Sequence, residues 1–255
     1  MRIKSRVIAA AAALTLVGGV SAVGMLSASA ATPSCGSFCT DLFSREFGTH
    51  HSPNFVMDVF RQGAHVGQPI ILFRTSNTDP AEDFNASFSG SLDDFFAAGM
   101  VSSAVELHYG GTRPIPPITV AGHGATGFFN DPAFELEYTP YGVGSGLCVG
   151  LAGIAVQNEQ VTLQPCGRDG RTVWIVDAGD SATVSHGYVP LVNGSDTNFS
   201  HPFVLTYPQN GQPTDQPRPR VKVQNLTGFT GSFLVPVLGT INDNQLWGAD
   251  FGPLR

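Results

Sequence analysis

A pattern that recurs three times along the chain restricts its fold more than any other feature. Each copy opens with an apolar, β-favouring run and ends at a large aromatic residue. The first two copies have similar lengths, 29 positions from Phe55 to Phe84 and 27 from Leu147 to Trp174, while the third spans 44 from Phe203 to Trp247. A unit of this size cannot bury its own apolar face, so we expect three of them to close around a shared core.

The residues between these runs favour strands and turns over helices. The chain has 30 Gly and 18 Pro among 255 residues, and only 13% of its residues are charged. Glycine and proline disfavour helix interiors, and a coiled coil needs far more charge. We therefore predict an all-β fold with three pseudo-repeats and inserted loops. Ser91–Asp94 predicts one short helix that ends at Gly99, whereas Val101–Tyr109 alternates like a strand.

These patterns predict the organisation of the whole chain. Residues 1–30 are expected to form a signal peptide, residues 31–53 an N-terminal arm, and residues 54–255 a single domain. Within that domain we place the repeats at about 54–88, 134–178 and 201–251, with insertions rich in Gly and Pro at about 89–133 and 208–220.

The N-terminus has the three parts of a secretory signal. Basic residues come first, the apolar run Val7–Leu26 follows, and Ala28-Ser29-Ala30 supplies the small side chains needed for cleavage before Ala31. A membrane anchor is the alternative, but glycines dilute the run and no charged stop follows it. We expect a secreted, extracellular protein of bacterial type.

Removal of the signal makes the remaining chain strongly acidic. Arg2, Lys4 and Arg6 leave with it, so Lys+Arg falls from 13 to 10 while Asp+Glu stays at 20, a net charge of −10. A surface of this sign repels phosphate backbones and anionic lipid. We therefore expect no nucleic-acid partner, and no membrane association of the mature form.

Four cysteines remain in the mature chain, an even number in an oxidising compartment. Three pairings are possible, and we favour the two local ones, Cys35–Cys39 and Cys148–Cys166. The second pair would tie two neighbouring strands. A zinc site is the alternative, but the spacing within each pair does not match common zinc fingers. We expect no bound metal and no cofactor.

The second unit carries the motifs that point to a family. Its opening Leu147-Cys148-Val149, the second cysteine at Cys166 and the closing Thr172-Val173-Trp174 resemble one repeat of the ricin-type β-trefoil. Asn244-Gln245-Leu246-Trp247 resembles that family's closing Gln-x-Trp motif. The resemblance covers about residues 54–251 and implies a lectin-like trefoil domain.

The resemblance also implies where a sugar would bind. In the first unit Asp58 stands at the family's sugar-binding Asp, Phe73 lies in the strand that carries the aromatic platform, and Asn77 lies in the following turn. An aromatic ring stacks on the C–H face of a sugar, and a carboxylate accepts hydrogen bonds from neighbouring hydroxyls. The expected amides are replaced by Ile71 and Ala81. The corresponding Asp positions of the other units hold Gly150 and Thr206, and Gln164 takes the platform position of the second unit.

Three functions follow, in order of preference. The first is a non-catalytic carbohydrate-binding module with a glycan as ligand. The second is a secreted structural or protein-interaction domain that keeps the scaffold without binding sugar. The third is a glycoside hydrolase using Glu135 and Glu137, although these glutamates fit the solvated face of a strand. The sequence has no motif of a serine hydrolase, a zinc protease or a phosphate-binding loop, so we expect no catalytic residues.

Overall fold

The computed structural model describes the chain in nine segments. They are residues 40–47, 53–76, 78–110, 118–120, 123–125, 131–176, 187–208, 219–227 and 241–251, with 118–120, 123–125 and 250–251 given as backbone only. The predicted signal peptide and the predicted Cys35–Cys39 disulfide lie outside these residues.

Twelve of the strands in the described segments fall into three successive sets of four, each of which we call a unit. The first unit comprises β1 (Thr40–Ser44), β2 (Phe55–Val59), β3 (Ile70–Arg74) and β4 (Phe84–Ser91). An insertion follows, with α1 (Leu92–Ala97), α2 (Ser103–Tyr109) and the short strands β5 (Ile118–Val120) and β6 (His123–Ala125). The second unit comprises β7 (Pro132–Tyr138), β8 (Leu147–Leu151), β9 (Val161–Pro165) and β10 (Trp174–Val176). The third comprises β11 (Leu191–Asn193), β12 (Phe203–Thr206), β13 (Lys222–Asn225) and β14 (Trp247–Phe251).

The strand pairing repeats from unit to unit. The second and third strands of each unit form an antiparallel hairpin, as β2–β3, β8–β9 and β12–β13. The fourth strand of each unit pairs with the first of the next, as β4–β7 and β10–β11, and β14 returns to pair with β1. Isolated bridges join the three hairpins: Pro69 with Thr162, Ile71 with Arg220, and Gln160 with Lys222. This closed, three-fold arrangement is a β-trefoil, which confirms the predicted fold class.

The closing aromatic residue of each unit lies in the shared core. Phe84, Trp174 and Trp247 are all buried in one cluster. The Trp174 indole N–H donates to the Val149 carbonyl at 2.9 Å, and the Trp247 indole N–H donates to the Leu205 carbonyl at 2.8 Å. The two tryptophans therefore hold equivalent positions, each fastened to the second strand of its own unit.

A short 3₁₀ turn leads into each closing aromatic residue. These turns are Pro80–Glu82, Gly170–Thr172 and Asp243–Gln245. In the first two, an aspartate caps the turn: Asp79 Oδ1 accepts from the Ala81 N–H and Asp169 Oδ1 from the Arg171 N–H, both at 3.0 Å. The last residues of the turns, Glu82, Thr172 and Gln245, are thus structural equivalents.

The predicted disulfide between Cys148 and Cys166 is confirmed. Cys148 lies in β8, Cys166 directly follows β9, and their Cα atoms are 4.9 Å apart. The bond therefore fastens the two strands of the second hairpin.

The helices of the insertion agree with one prediction and contradict another. The predicted short helix is α1, where Ser91 and Asp94 form a capping box. The predicted strand over Val101–Tyr109 is wrong, because α2 occupies Ser103–Tyr109. The Ser102 hydroxyl accepts from the Val105 N–H at 3.3 Å, and Val105 and Tyr109 share the buried face four residues apart. The described residues thus contain two helices rather than one.

The barrel also includes residues that the sequence places in an N-terminal arm. Within the segment 31–53, β1 pairs with β14 along its whole length, from Thr40 opposite Phe251 to Ser44 opposite Trp247. The third unit likewise begins at β11, ahead of position 201, and β11 is only three residues long. An opening strand this short carries too little alternation to be recognised by pattern.

Candidate functional site

The hairpin β2–β3 brings two of the residues named by the family resemblance onto one face. Asp58 lies opposite Ile71 and Phe73 lies opposite Val56, so their side chains are diagonal neighbours. A sugar-binding carboxylate at Asp58 would have to be accessible, but the residue is only 3% exposed, on a hairpin whose two faces both carry buried apolar residues. Phe73 is partly buried, and Asn77 lies outside the described residues.

Two further carboxylates meet Asp58. Side-chain oxygens of Asp58, Asp79 and Glu82 all lie within 4.8 Å of one another, and we call these three residues the acidic cluster. Asp58 and Glu82 are buried, whereas Asp79 is half-buried. Asp79 therefore offers the carboxylate that a ligand in solution reaches most easily.

Glu82 occupies the most restrictive environment of the three. Both of its oxygens accept from the Ser76 backbone N–H, at 3.1 and 2.9 Å. Burial, together with the nearby charges of Asp58, Asp79 and Asp41, outweighs the lowering effect of the Ser76 hydrogen bond and raises the pKa of Glu82 to about 9. Glu82 therefore carries a proton at neutral pH, which reduces the charge of the cluster.

The positions of Asp58 and Glu82 hold no carboxylate in the other two units, although Asp169 of the second unit corresponds to Asp79. In the third unit the Gln245 side-chain amide donates to the Thr206 hydroxyl at 3.2 Å. In the second unit a Cβ atom on Gly150 would stand 2.7 Å from the Arg171 carbonyl oxygen and 2.8 Å from Thr172 Cγ2. Backbone contact therefore leaves no space for an aspartate there, and within the described segments a group of three converging carboxylates occurs in the first unit alone.

Asp79 is held by two different donors. Besides capping its own turn, its Oδ1 accepts from the Gln62 side-chain amide at 3.0 Å. Gln62 is exposed and belongs to a 3₁₀ turn, Phe60–Gln62, that packs against the turn Pro80–Glu82. An exposed amide thus lies beside the half-buried carboxylate.

A turn from the second unit borders the cluster on another side. The 3₁₀ turn Pro140–Gly142 also packs against Pro80–Glu82, and its central residue, Tyr141, is 50% exposed. Tyr141 is not among the site residues predicted from the sequence. The available signal was the tripeptide Pro140-Tyr141-Gly142, a turn in which an aromatic residue stands where a small one is usual.

The acidic cluster is poorly suited to hold a metal ion. Calcium takes six to eight oxygen ligands, whereas the cluster offers one oxygen from each of three residues at this spacing. Oxygens of Asp79 and Glu82 already accept backbone N–H groups. The arrangement suits acceptance of hydrogen bonds from hydroxyl groups better than coordination of a hard cation.

Glu135 and Glu137 hold turns in place. Glu135 is 3% exposed and accepts from the Gly167 N–H at 2.9 Å and from the Thr172 hydroxyl at 2.5 Å. Glu137 accepts from the Gly146 N–H at 2.8 Å. The prediction that both lie on a solvated strand face is wrong for Glu135, since the loop around Gly167 covers it.

Comparisons with known proteins give similarity at the level of structure. No protein-family model and no curated protein matches the chain. A designed three-fold symmetric protein, ThreeFoil, matches with a TM-score of 0.46 and 15% identity, covering 83% of this chain and 96% of that one. A mosquitocidal holotoxin matches with a TM-score of 0.44 and 10% identity; the match covers 84% of this chain but only 17% of the toxin. The trefoil assignment itself follows from the strand pairing.

None of the helices formed by the described residues is long and apolar enough to span a membrane.

Proposed function

We propose that this protein is a secreted, non-catalytic carbohydrate-binding module whose site is the acidic cluster of the first unit. Asp79 accepts hydrogen bonds from neighbouring sugar hydroxyls, while Asp58 and the protonated Glu82 form the buried wall behind it. Phe73 lies on the same hairpin face as Asp58.

One observation carries this proposal: in the first unit Asp58 and Glu82 converge on Asp79, and the other units replace these two carboxylates by Gly150 and Thr172 or by Thr206 and Gln245. A trefoil core needs no acid at the Glu82 position, since in the third unit the Gln245 amide accepts from the equivalent backbone N–H, that of Thr227. Clustered buried carboxylates are unfavourable for stability, and such groups concentrate at functional sites.

The proposed compartment rests on separate features. The signal-like N-terminus is one, and the disulfide between Cys148 and Cys166 is the other. N-terminal sequencing of protein collected from the culture medium tests it. A start near Ala31 supports secretion, and an intact Met1 contradicts it.

Glycan-array binding of the wild type, followed by calorimetric titration, tests the function. Asp79→Asn keeps an oxygen that can cap the turn but removes the charge that strengthens hydrogen bonds to hydroxyls. We expect its affinity for any sugar identified to fall at least tenfold, which corresponds to a loss of about 1.4 kcal/mol.

Asp169→Asn is the matched control. Asp169 caps the equivalent turn of the second unit with the same 3.0 Å hydrogen bond, yet it lies outside the acidic cluster. The Asp169→Asn variant should bind the sugar with the affinity of the wild type. Equal losses in the two variants, or a wild type that binds no glycan, would contradict the proposal.

The burial of Asp58, which is 3% exposed, favours a second function, that of a structural or protein-interaction domain. An acid buried this deeply also suits a scaffold that presents its surface to another protein and has no sugar site. In that case no sugar raises the melting temperature of the wild type, and Asp58→Ala changes stability alone.

A further inference from the structure

Strained backbone gathers around the acidic cluster. Among the described residues, the non-glycine residues with left-handed φ are Arg61, Gln62 and Tyr141, each at 57°, and Asn158 at 67°. The first three lie in the turns Phe60–Gln62 and Pro140–Gly142, and both turns pack against Pro80–Glu82. Asparagine tolerates this conformation, whereas arginine, glutamine and tyrosine adopt it at a steric cost. Strain of this kind concentrates at ligand sites.

The turn that carries Tyr141 is fixed directly to the end of the acidic cluster. The Tyr141 backbone N–H donates to Asp83 Oδ2 at 2.9 Å, and the Thr139 N–H donates to the Asp83 carbonyl at 2.8 Å. Asp83 directly follows Glu82. These bonds hold the tyrosine at a constant place relative to the cluster, although the two belong to different units.

Core packing does not account for a tyrosine at this position. The residue is 50% exposed, and its backbone conformation is one that glycine or asparagine would adopt more easily. A large ring held half-exposed in a strained turn is instead suited to contact a ligand.

We propose that Tyr141, contributed by the second unit, is the aromatic platform of the sugar site in the first unit. This inference rests on the proposed function. The ligand class is a pyranose whose C–H face stacks on the Tyr141 ring and whose adjacent hydroxyls donate to Asp79, with the Gln62 amide at the opposite edge. The ligand is then recognised across the boundary between two units, and Phe73 contributes to the hairpin rather than to the contact.

The electrostatics of a neighbouring side chain agree with this placement. Burial raises the pKa of Tyr138, and so do the charges of Asp58, Asp83 and Asp79, followed by Tyr141. The Tyr141 phenol therefore lies within electrostatic reach of the same buried hydroxyl as two members of the acidic cluster.

Two substitutions at Tyr141 separate binding from folding. Tyr141→Gly removes the ring and relieves the left-handed strain, so the melting temperature should stay the same or rise. Tyr141→Phe keeps the ring and removes the hydroxyl. The matched control is Asn158→Gly, which changes a left-handed residue in the loop between β8 and β9.

The probes are the methyl glycosides of galactose, glucose, mannose and N-acetylglucosamine, titrated by calorimetry into the protein collected from the culture medium. We expect Tyr141→Gly to weaken binding at least tenfold, while Tyr141→Phe stays within about threefold of the wild type and Asn158→Gly matches it. If Asp79→Asn loses affinity and Tyr141→Gly keeps it, the proposed function stands and the platform assignment is wrong. If no probe binds the wild type, both are overturned.

Discussion

Glu82 and Gln245 occupy the same place in the first and third units. Each accepts a hydrogen bond from the backbone N–H that follows the third strand of its unit, Glu82 from Ser76 at 2.9 Å and Gln245 from Thr227 at 2.8 Å. The chain thus fulfils one structural role with an acid in one unit and with an amide in another. The difference gives the first unit a titratable group inside a conserved geometry.

Glu82→Gln should stabilise the protein increasingly as the pH rises. The pKa of Glu82 lies near 9 in the folded state, against an ordinary value of 4.5. Below pH 4.5 the group is protonated in both the folded and the unfolded state, so it adds nothing to the pH dependence of stability. Between pH 4.5 and 9 folding must take up a proton, so the free energy of unfolding of the wild type falls by at most about 1.4 kcal/mol per pH unit. Urea unfolding of both proteins at pH 5 and pH 8 measures the difference.

The reciprocal change, Gln245→Glu, is the control. The Gln245 amide donates to Thr206 and to the Asn225 carbonyl at 2.9 Å, and a carboxylate cannot donate to either. We expect Gln245→Glu to lower the free energy of unfolding by about 1–3 kcal/mol at pH 8. If Glu82→Gln raised the free energy of unfolding above that of the wild type by as much at pH 5 as at pH 8, the assigned protonation state would be contradicted.

Trp247→Phe should destabilise the protein through one lost hydrogen bond and a small cavity. The Leu205 carbonyl would lose its indole donor in a fully buried position, at a cost of about 1–3 kcal/mol. The variant should still fold, because Phe84 fills the equivalent position of the first unit. Trp174→Phe should cost a similar amount in urea unfolding; a negligible cost in either variant would show that these bonds contribute little.

Gly150→Ala should be strongly unfavourable and Gly153→Ala nearly neutral. A Cβ atom at Gly150 meets the Arg171 carbonyl oxygen at 2.7 Å, whereas one at Gly153 meets no atom of the described residues within 4 Å. Overpacking of this kind costs about 1–3 kcal/mol. Thermal melting of the two variants gives the comparison, and similar melting temperatures would argue against close contact between β8 and the turn Gly170–Thr172.

Replacing Cys148 and Cys166 together by alanine should lower the free energy of unfolding by about 3 kcal/mol, as the chain-entropy model gives for a loop of this size. The measurement is urea unfolding under non-reducing conditions. Peptide mapping without reduction checks the bond itself: a fragment containing both cysteines is expected, and free thiols at the two positions would refute it.

The sequence predicts local features of this fold well. Three apolar openings, the cap at Ser91 and the pair Cys148–Cys166 are each determined by residues close together in the chain. The strand β1 was missed because its partner, β14, lies about 200 residues away. The helix α2 was missed because seven residues complete barely two turns of its period.

The candidate site was predictable only in part, for a similar reason. Family resemblance places Asp58 and Phe73 on one hairpin, and the structure agrees. It does not indicate that Asp58 is buried, since burial depends on the packing of both hairpin faces. The role of Tyr141 depends on a contact between turns of two units and on a positive φ, and neither is encoded in the residues adjacent to it.

The pairing of β1 with β14 has a consequence for biosynthesis. A nascent chain presents β1 before the other barrel strands, but the partner of β1 is not made until residues 247–251 have been added. A fragment that stops before β14 cannot close the barrel, so β1 remains without its partner strand until that point. The native barrel therefore forms only after the last of its twelve strands has been synthesised.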